Sequence, residues 1–213
     1  NYYTQYGYDE GGGFYASQDA DIGVLDEGGY YTFTEEELKS ILDPKEFEVI
    51  KLYFGIGTRG KMPHEPQKNV PFINLTPEQI SKVLSLSEEE VNALIKTAKE
   101  KVLEHRQKRE TPYIDKTIYT NWNGLMIEGL CTYYKVFNDP RAISMAQKTA
   151  NRILKDYYKE GTLLHTEGVE GFSEDYIFFA KGLLALFEMS KDREYLNRAI
   201  ELTDQDRELV WYG

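Results

Sequence analysis

Cysteine is almost absent from this sequence, which contains a single one, Cys131. One thiol cannot form a disulfide within the chain and cannot supply the clustered ligands of a structural zinc site. We therefore expect no bound metal and a reducing, cytoplasmic compartment. Because Cys131 lies in an apolar helical stretch, we predict that it is a small residue of the core.

Positive charge is also in short supply, since 25 Lys and Arg residues stand against 36 Asp and Glu residues, for a net charge of -11. A surface that binds phosphates needs a basic patch, so we expect no nucleic-acid partner. No apolar run reaches the length of a membrane span and no signal peptide is recognisable, so we expect no membrane partner either. The 29% charged and 41% hydrophobic residues are typical of a globular protein.

What the sequence does contain is an internal repeat with a period of 53 residues, in which segment 123–146 aligns with segment 176–199. The aligned pairs include Gly129 with Gly182, Leu130 with Leu183, Asp139 with Asp192, and Ala146 with Ala199. Each copy is predicted to be a helical hairpin, over 121–137/140–158 and 173–189/193–204. One hairpin cannot bury its apolar faces alone, so a fixed period of paired helices predicts an all-α array of stacked hairpins.

The part of the chain before the repeat is less regular. Residues 1–33 are rich in Gly, Tyr and Asp, which predicts a short β-hairpin or an ordered loop. Over 34–110 we predict helices around an irregular loop, because Thr34, Thr76 and Ser87 each precede a helical pattern with Glu or Gln three residues later. We treat 1–213 as a single domain, with the two hairpins over 121–204.

Several strings in the sequence resemble a known family. They are GGFYASQDAD from Gly12 and EGGYYTFT from Glu27, DKT from Asp115 and NWNGLM from Asn121, and GFSEDY from Gly171 and GLLAL from Gly182. In residue identity, order and spacing, these strings are similar to motifs of the thioredoxin-domain-containing family that includes spermatogenesis-associated protein 20 and bacterial YyaL-type proteins.

The resemblance implies a thioredoxin-like domain followed by an (α/α)6 toroid, similar to N-acylglucosamine 2-epimerases and six-hairpin glycosidases. This chain has no Cys-x-x-Cys and fewer predicted helices than the twelve of a closed toroid. It also lacks an initiator Met, so we expect part of a longer protein: an incomplete toroid without the thioredoxin-like part. Incomplete rings leave apolar faces open, which predicts self-association or contact with the remainder of the parent chain.

The function that the resemblance implies is carbohydrate binding or processing, epimerase-like or glycosidase-like, with a small-molecule sugar as partner and no cofactor. The alternative is a non-catalytic interaction or regulatory module, because a fold does not determine a function.

Candidate site residues follow from the repeat, since equivalent helix starts in stacked hairpins share one rim. We predict Asp175 as a catalytic residue there. The predicted substrate-binding residues are Asp115, Lys116, Trp122, Asn123, Glu174 and Tyr176. The alternative is that these polar groups only stabilise the first turns of the helices. Asp175→Asn separates the two: weaker sugar binding at an unchanged melting temperature favours the site, and a large drop in melting temperature favours a helix cap.

Three further residues are candidate catalytic groups. Asp19 and Asp21 face the same side of an extended segment. They are predicted as an acid/base or substrate-binding pair, with cation binding and turn stabilisation as alternatives. His165 is predicted in the loop before the second hairpin, and the resemblance to epimerases implies a role as proton shuttle. His64 is a weaker candidate in an irregular loop, and His105 is predicted on a helix surface.

Overall fold

The computed structural model describes residues 7–23, Asp26 and residues 28–212. The predicted N-terminal loop or hairpin therefore lies partly outside the described residues, at 1–6, 24, 25 and 27. Contacts divide the chain into two compact units. The first unit comprises the described residues up to Gln18 and from Ile114 onward, and the second comprises Asp19–Tyr113. The single domain over 1–213 stays a prediction.

The described fold is predominantly helical, with small antiparallel sheets. In chain order its elements are β1 (Ser17–Gln18), β2 (Phe33–Thr34), α1 (Glu35–Ile41), α2 (Pro44–Tyr53), β3 (Lys68–Asn69), α3 (Pro77–Leu84), α4 (Glu88–Gln107), β4 (Ile114–Asp115), α5 (Thr120–Phe137), α6 (Pro140–Arg152), a π-helical turn (Ile153–Tyr157), β5 (Tyr158–Lys159), β6 (Thr162–Thr166), β7 (Val169–Glu170), α7 (Ser173–Ser190) and α8 (Arg193–Tyr212). The sheets pair β1 with β4, β2 with β3, and β5 with β6 and β7. The expectation of an all-α fold is thus correct for most of the chain and wrong for these short strands.

The second unit contains α1 to α4 and the β2–β3 pair. The predicted caps are confirmed, because the hydroxyls of Thr34, Thr76 and Ser87 each accept a backbone N–H from the first turn that follows. Its core is built by fully buried side chains on α2, α3 and α4, namely Val49, Ile50, Ile80, Val91 and Ala98. Tyr30 and Tyr31 precede β2, which pairs with Lys68–Asn69 rather than with a strand inside residues 1–33.

The first unit contains both predicted hairpins, α5–α6 and α7–α8. The two turns are alike: Asn138 ends α5 at φ 51°, and Lys191 ends α7 at φ 59°, both in the left-handed region. Asp139 and Asp192 then accept the N–H groups of Arg141 and Glu194, each two residues on. The 53-residue repeat of the sequence is therefore also a repeat of local structure.

The close approach of α5 and α7 depends on two glycines. A Cβ at Gly124 would lie 2.5 Å from the carbonyl oxygen of Phe178, and a Cβ at Gly182 would lie 2.7 Å from the carbonyl oxygen of Gly124. The repeat aligns Gly182 with Gly129 and predicts close helix approach at both. Gly129 does occupy the matching position, but nothing lies within 4 Å of a Cβ there. Only Gly182 meets a neighbouring helix as expected.

A π-helical turn and a small sheet separate the two hairpins. The predicted helix over 140–158 ends as an α-helix at Arg152, and the chain leaves the π-helical turn directly into β5. The antiparallel strands β5, β6 and β7 follow, where the sequence predicts a loop. This sheet fixes the position of β6, which carries His165, relative to the start of α7.

The Gly-rich segment, residues 11–14, is held against α5 and α6 by buried hydrogen bonds. The N–H of Phe14 donates to Oδ1 of Asn123 at 2.7 Å, and Nδ2 of Asn123 donates to the Phe14 carbonyl at 3.1 Å. Gly13 donates to the hydroxyl of Thr149 at 3.1 Å. Gly12 adopts φ 104° against the backbone of Lys148, where a side chain has no room. The segment is thus ordered by contacts far away in the sequence.

Candidate functional site

The first unit places a histidine against a buried carboxylate. Nδ1 of His165, on β6, lies 3.0 Å from both Oδ1 and Oδ2 of Asp175, in the first turn of α7. The Asp175 side chain is 0% exposed, and the His165 side chain is 22% exposed. The structure therefore brings together two of the four predicted catalytic residues.

Asp175 also caps the starts of two helices. Its Oδ1 accepts the N–H of Asn121 at 3.0 Å, and its Oδ2 accepts the N–H of Phe172 at 2.9 Å. Both oxygens thus act as acceptors, so Nδ1 of His165 is the donor in this contact and carries the proton. In the neutral ring with the proton on Nδ1, the lone pair is on Nε2, which is the nitrogen that can accept a proton or a hydrogen bond.

Aromatic rings surround the histidine. The ring centroids of Tyr119 and Phe172 lie 4.9 Å and 5.2 Å from that of His165. Trp122 packs against Tyr119 at 4.8 Å. Trp122 and Phe172 are 53% and 61% exposed, although both are large and apolar. The site therefore combines a positioned imidazole with accessible ring faces.

Sequence reasoning missed Tyr119 and Phe172. These residues are one repeat apart, and each is the last residue before the first helix of its hairpin. The 53-residue repeat could have identified them, because it relates the residues just before the two first helices as well as the helices themselves. Phe172 has no polar group, and nothing local distinguishes Tyr119 from the many other tyrosines of the chain, so composition alone could not point to them.

Two predicted substrate-binding residues are buried and engaged within the protein. Asn123 is 1% exposed, and its amide bonds with the Phe14 backbone and donates to the Tyr119 carbonyl at 2.9 Å. The Tyr176 hydroxyl accepts the N–H of Leu163 at 3.0 Å. Both side chains bind backbone groups. This agrees with the alternative that these polar groups stabilise the protein and do not bind substrate.

The remaining substrate-binding candidates of the first unit lie nearer the surface. Asp115, on β4, accepts both the side-chain and the backbone hydrogen bond of Thr117, at 2.6 Å and 2.9 Å, and these bonds lower the pKa of Asp115. Lys116 is exposed, with Nζ 5.9 Å from the ring centroid of Tyr15. Glu174 is exposed in the first turn of α7. Their role in substrate binding stays a prediction.

Asp19 and Asp21 belong to the second unit. Both are exposed and line a surface depression of about 630 Å³ together with Glu110 and Tyr113. Oδ1 of Asp21 accepts the N–H of Gly28 at 2.8 Å, which stabilises a turn. The predicted acid/base or substrate-binding role of Asp19 and Asp21 stays a prediction.

The other histidines and the cysteine occupy different settings. Nε2 of His105 lies 3.0 Å from Glu37 in the second unit, and His64 lies in the irregular loop. Cys131 is 1% exposed, as predicted, and burial raises its pKa to about 11. Within the described part of the chain, no group of three His, Cys, Asp or Glu residues is arranged to hold a metal ion. No helix there has the length and apolar character needed to cross a bilayer.

Comparison with curated proteins finds relatives over nearly the whole chain. Spermatogenesis-associated protein 20 of Homo sapiens is 28% identical over 94% of this chain, and that of Mus musculus is 27% identical over 94%. This chain resembles spermatogenesis-associated protein 20. The resemblance to spermatogenesis-associated protein 20 that the sequence strings indicate is therefore confirmed. An uncharacterized protein of Caenorhabditis elegans is 29% identical over 95% of the chain. No family model matches.

The relatives are much longer than this chain. The match covers 30% of spermatogenesis-associated protein 20 in both species and 32% of the Caenorhabditis elegans protein. The chain thus spans about a third of the length of these curated relatives.

Proposed function

We propose that this chain carries a carbohydrate-binding or carbohydrate-processing site, with His165 as general base and Asp175 as the residue that orients it. The scaffold is proposed to be part of an α/α-toroid of the epimerase or glycosidase type. The observation that carries the proposal is the His165–Asp175 contact of 3.0 Å beside the exposed rings of Trp122 and Phe172.

The chemistry of this arrangement suits proton transfer. A carboxylate on Nδ1 fixes the tautomer of the imidazole and stabilises the imidazolium that forms when Nε2 takes a proton. In an epimerisation that proton comes from a C–H next to a carbonyl, and in a hydrolysis it comes from the attacking water. The ring faces of Trp122 and Phe172 offer apolar surface on which the C–H face of a sugar stacks, while their exposure leaves its hydroxyls in water.

The proposal includes the setting of the site. The relatives are about three times as long as the chain, and we propose that the toroid is completed outside it, beside a thioredoxin-like domain. A single cysteine supports a cytoplasmic location. A free sugar is the proposed small-molecule partner, and the proposed chemistry needs no cofactor.

Isotope exchange tests the base directly. The chain is incubated in D2O with a panel of reducing hexoses and N-acylhexosamines, and loss of the C2–H signal is followed by NMR. We expect exchange with at least one sugar, and its loss in His165→Gln. His105→Gln is the matched control, because it removes a histidine–carboxylate contact in the second unit. Exchange that persists in His165→Gln contradicts the assignment of the base.

A non-catalytic interaction module is the second candidate function. It is favoured by the exposed apolar side chains of Leu125, Val136 and Leu184 on the first helices of the two hairpins. Titration calorimetry with the same sugar panel distinguishes the two candidate functions. Binding without exchange supports a carbohydrate-binding module, and the absence of both supports a module that contacts another protein.

A further inference from the structure

A groove of about 710 Å³ lies within the second unit. Its volume is that of a small-molecule site, for which about 300–1,000 Å³ is usual. The apolar lining residues include Phe33, Phe54, Val70, Ile95, Val102 and Leu103. Every lining residue falls between Tyr31 and Arg106, so the walls of the groove are complete within this unit.

Helix α4 forms one wall of the groove. Val102 and Arg106 follow Lys99 along α4 at intervals of three and four residues, so the three side chains lie on one face of the helix. The remaining lining comes from the chain that leads through β2 and from the residues that follow α2 and β3. Leu103 and Val70 are 39% and 43% exposed, although both are apolar. The groove therefore offers accessible apolar surface to a ligand.

Positive charge lines this groove in an acidic protein. Lys96, Lys99 and Arg106 supply cations, and Glu100 supplies a carboxylate. The whole chain has a net charge of -11. An anion is therefore attracted to the groove, although the chain as a whole repels it.

The cations on other faces of α4 are paired. Lys101 lies 2.8 Å from Glu46, and Lys108 lies 2.9 Å from Glu104. Among the residues that the structure describes, no carboxylate forms an ion pair with a cation of the groove. The positive charge of the groove is thus available to an anionic ligand.

Arg106 is the best-positioned of these cations. Its guanidinium carbon lies 5.3 Å from the ring centroid of Tyr30 and 5.7 Å from that of Tyr31, and these contacts restrict the side chain. Its Nε is buried without a hydrogen-bond partner in the described part of the chain. A planar guanidinium that retains unused donors matches the geometry of a carboxylate.

We propose that the groove binds a long-chain carboxylate of the fatty-acid class. The carboxylate binds the guanidinium of Arg106, and the acyl chain runs along α4 toward Ile95. The helix rises about 16 Å between these two residues, which leaves room for an extended chain. This site lies in the second unit and does not depend on the carbohydrate site proposed around His165.

Calorimetric titration of the chain with octanoate, decanoate and dodecanoate tests the proposal. We expect the affinity to rise by up to about fourfold for each added methylene, because each one buries further apolar surface. Dodecyltrimethylammonium, with the same alkyl chain and a cationic head, is expected to bind more weakly than dodecanoate. Non-specific adsorption to a chain of net charge -11 favours the cation, so equal or tighter binding of dodecyltrimethylammonium overturns the proposal.

A substitution of Arg106 tests the position of the head group. Arg106→Gln is expected to weaken the binding of dodecanoate by at least about tenfold and to leave that of dodecanol unchanged, because only the acid bonds the guanidinium. Lys108→Gln removes an exposed cation elsewhere on α4 and is the matched control, with the binding of both ligands expected to be kept. An equal loss of both ligands in Arg106→Gln overturns the assignment of the head group.

Filling the groove tests the position of the acyl chain. Leu103→Trp is expected to abolish the binding of dodecanoate while the far-UV circular dichroism is kept. Val83→Trp, at an exposed position of α3, is the matched control and is expected to bind as the wild type does. Unchanged binding by Leu103→Trp overturns the proposal. A longer protein that contains this chain and does not bind dodecanoate also overturns it, because another segment of that protein then occupies the groove.

Discussion

The carboxylate of Asp175, in the first turn of α7, accepts the backbone N–H of Asn121, in the first turn of α5, at 3.0 Å. One side chain thus joins the starts of the first helices of both hairpins. The same carboxylate holds Nδ1 of His165. Helix capping and the orientation of the candidate base are therefore not alternatives at this residue, because both depend on one pair of oxygens.

Asp175→Asn is predicted to destabilise the fold as well as to disturb the site. The amide keeps one acceptor and turns a donor toward an N–H or toward His165, which leaves a buried polar group unsatisfied. We expect a loss of about 2 kcal/mol in the free energy of unfolding, measured by urea denaturation. Glu174→Gln, at the exposed neighbouring position, is the control and is expected to change it by less than about 0.5 kcal/mol.

An unchanged stability of Asp175→Asn would contradict the capping role and return Asp175 to a purely functional interpretation. A useful second readout is the NMR shift of the His165 ring, which depends on the tautomer. We expect it to change in Asp175→Asn and not in Glu174→Gln.

The sequence predicted the positions of the hairpins because their signals are local. Apolar periodicity, Asp139 and Asp192 as caps, and the turns around them lie within a few residues of the structure that they determine. The contact between His165 and Asp175 was only partly predictable. The repeat placed Asp175 at a helix start, but the sheet that carries His165 toward it has strands of two to five residues, too short for a clear alternating pattern.

A matched pair of glycine substitutions tests the helix crossing. Gly124→Ala puts a Cβ at 2.5 Å from the Phe178 carbonyl oxygen and is expected to cost about 1–3 kcal/mol of stability. Gly129→Ala meets nothing within 4 Å and is expected to stabilise by up to about 1 kcal/mol, because alanine favours the helix. Thermal unfolding measures both. Equal effects of the two substitutions would contradict the packing described for α5.

The two glycines also show where the repeat stops being predictive. An internal repeat implies equivalent backbone positions, and Gly129 and Gly182 do occupy them. It does not imply equivalent neighbours, because the contact of a residue depends on which helix lies beside it. Gly124 has no glycine counterpart in the second hairpin, so the repeat does not predict a close helix contact at Gly124. Asn123 was likewise assigned to the rim, since nothing local indicates its bonds to Phe14.

Asn123→Ala is predicted to release the Gly-rich segment from α5. The change leaves the buried N–H and C=O of Phe14 without partners and is expected to cost about 3 kcal/mol. Hydrogen exchange should show faster exchange of the Phe14 amide. Asn92→Ala is the control, because the Asn92 side chain makes an exposed bond within α4. Unaltered protection of Phe14 would show that other contacts hold the segment.

Acid sensitivity is predicted to depend on Glu35 in the second unit. Lys51 donates a hydrogen bond to this buried carboxylate at 3.1 Å and Lys39 lies 3.2 Å away, and together they hold the pKa of Glu35 below its ordinary value of 4.5. Because the unfolded chain binds the proton more tightly, this stabilisation is present above pH 4.5 and is lost as the pH falls through the folded-state pKa.

Glu35→Gln is therefore expected to lower stability at pH 7 and to flatten the decline in the free energy of unfolding below pH 4.5. Urea denaturation at a series of pH values measures both effects. Glu89→Gln, at an exposed position of α4, is the control and is expected to preserve the wild-type slope. A Glu35→Gln chain that declines as steeply in acid as the wild type would show that other carboxylates cause the acid sensitivity. In that case, the ion pairs of Glu35 with Lys39 and Lys51 stabilise the folded chain no more than water stabilises the Glu35 carboxylate in the unfolded chain.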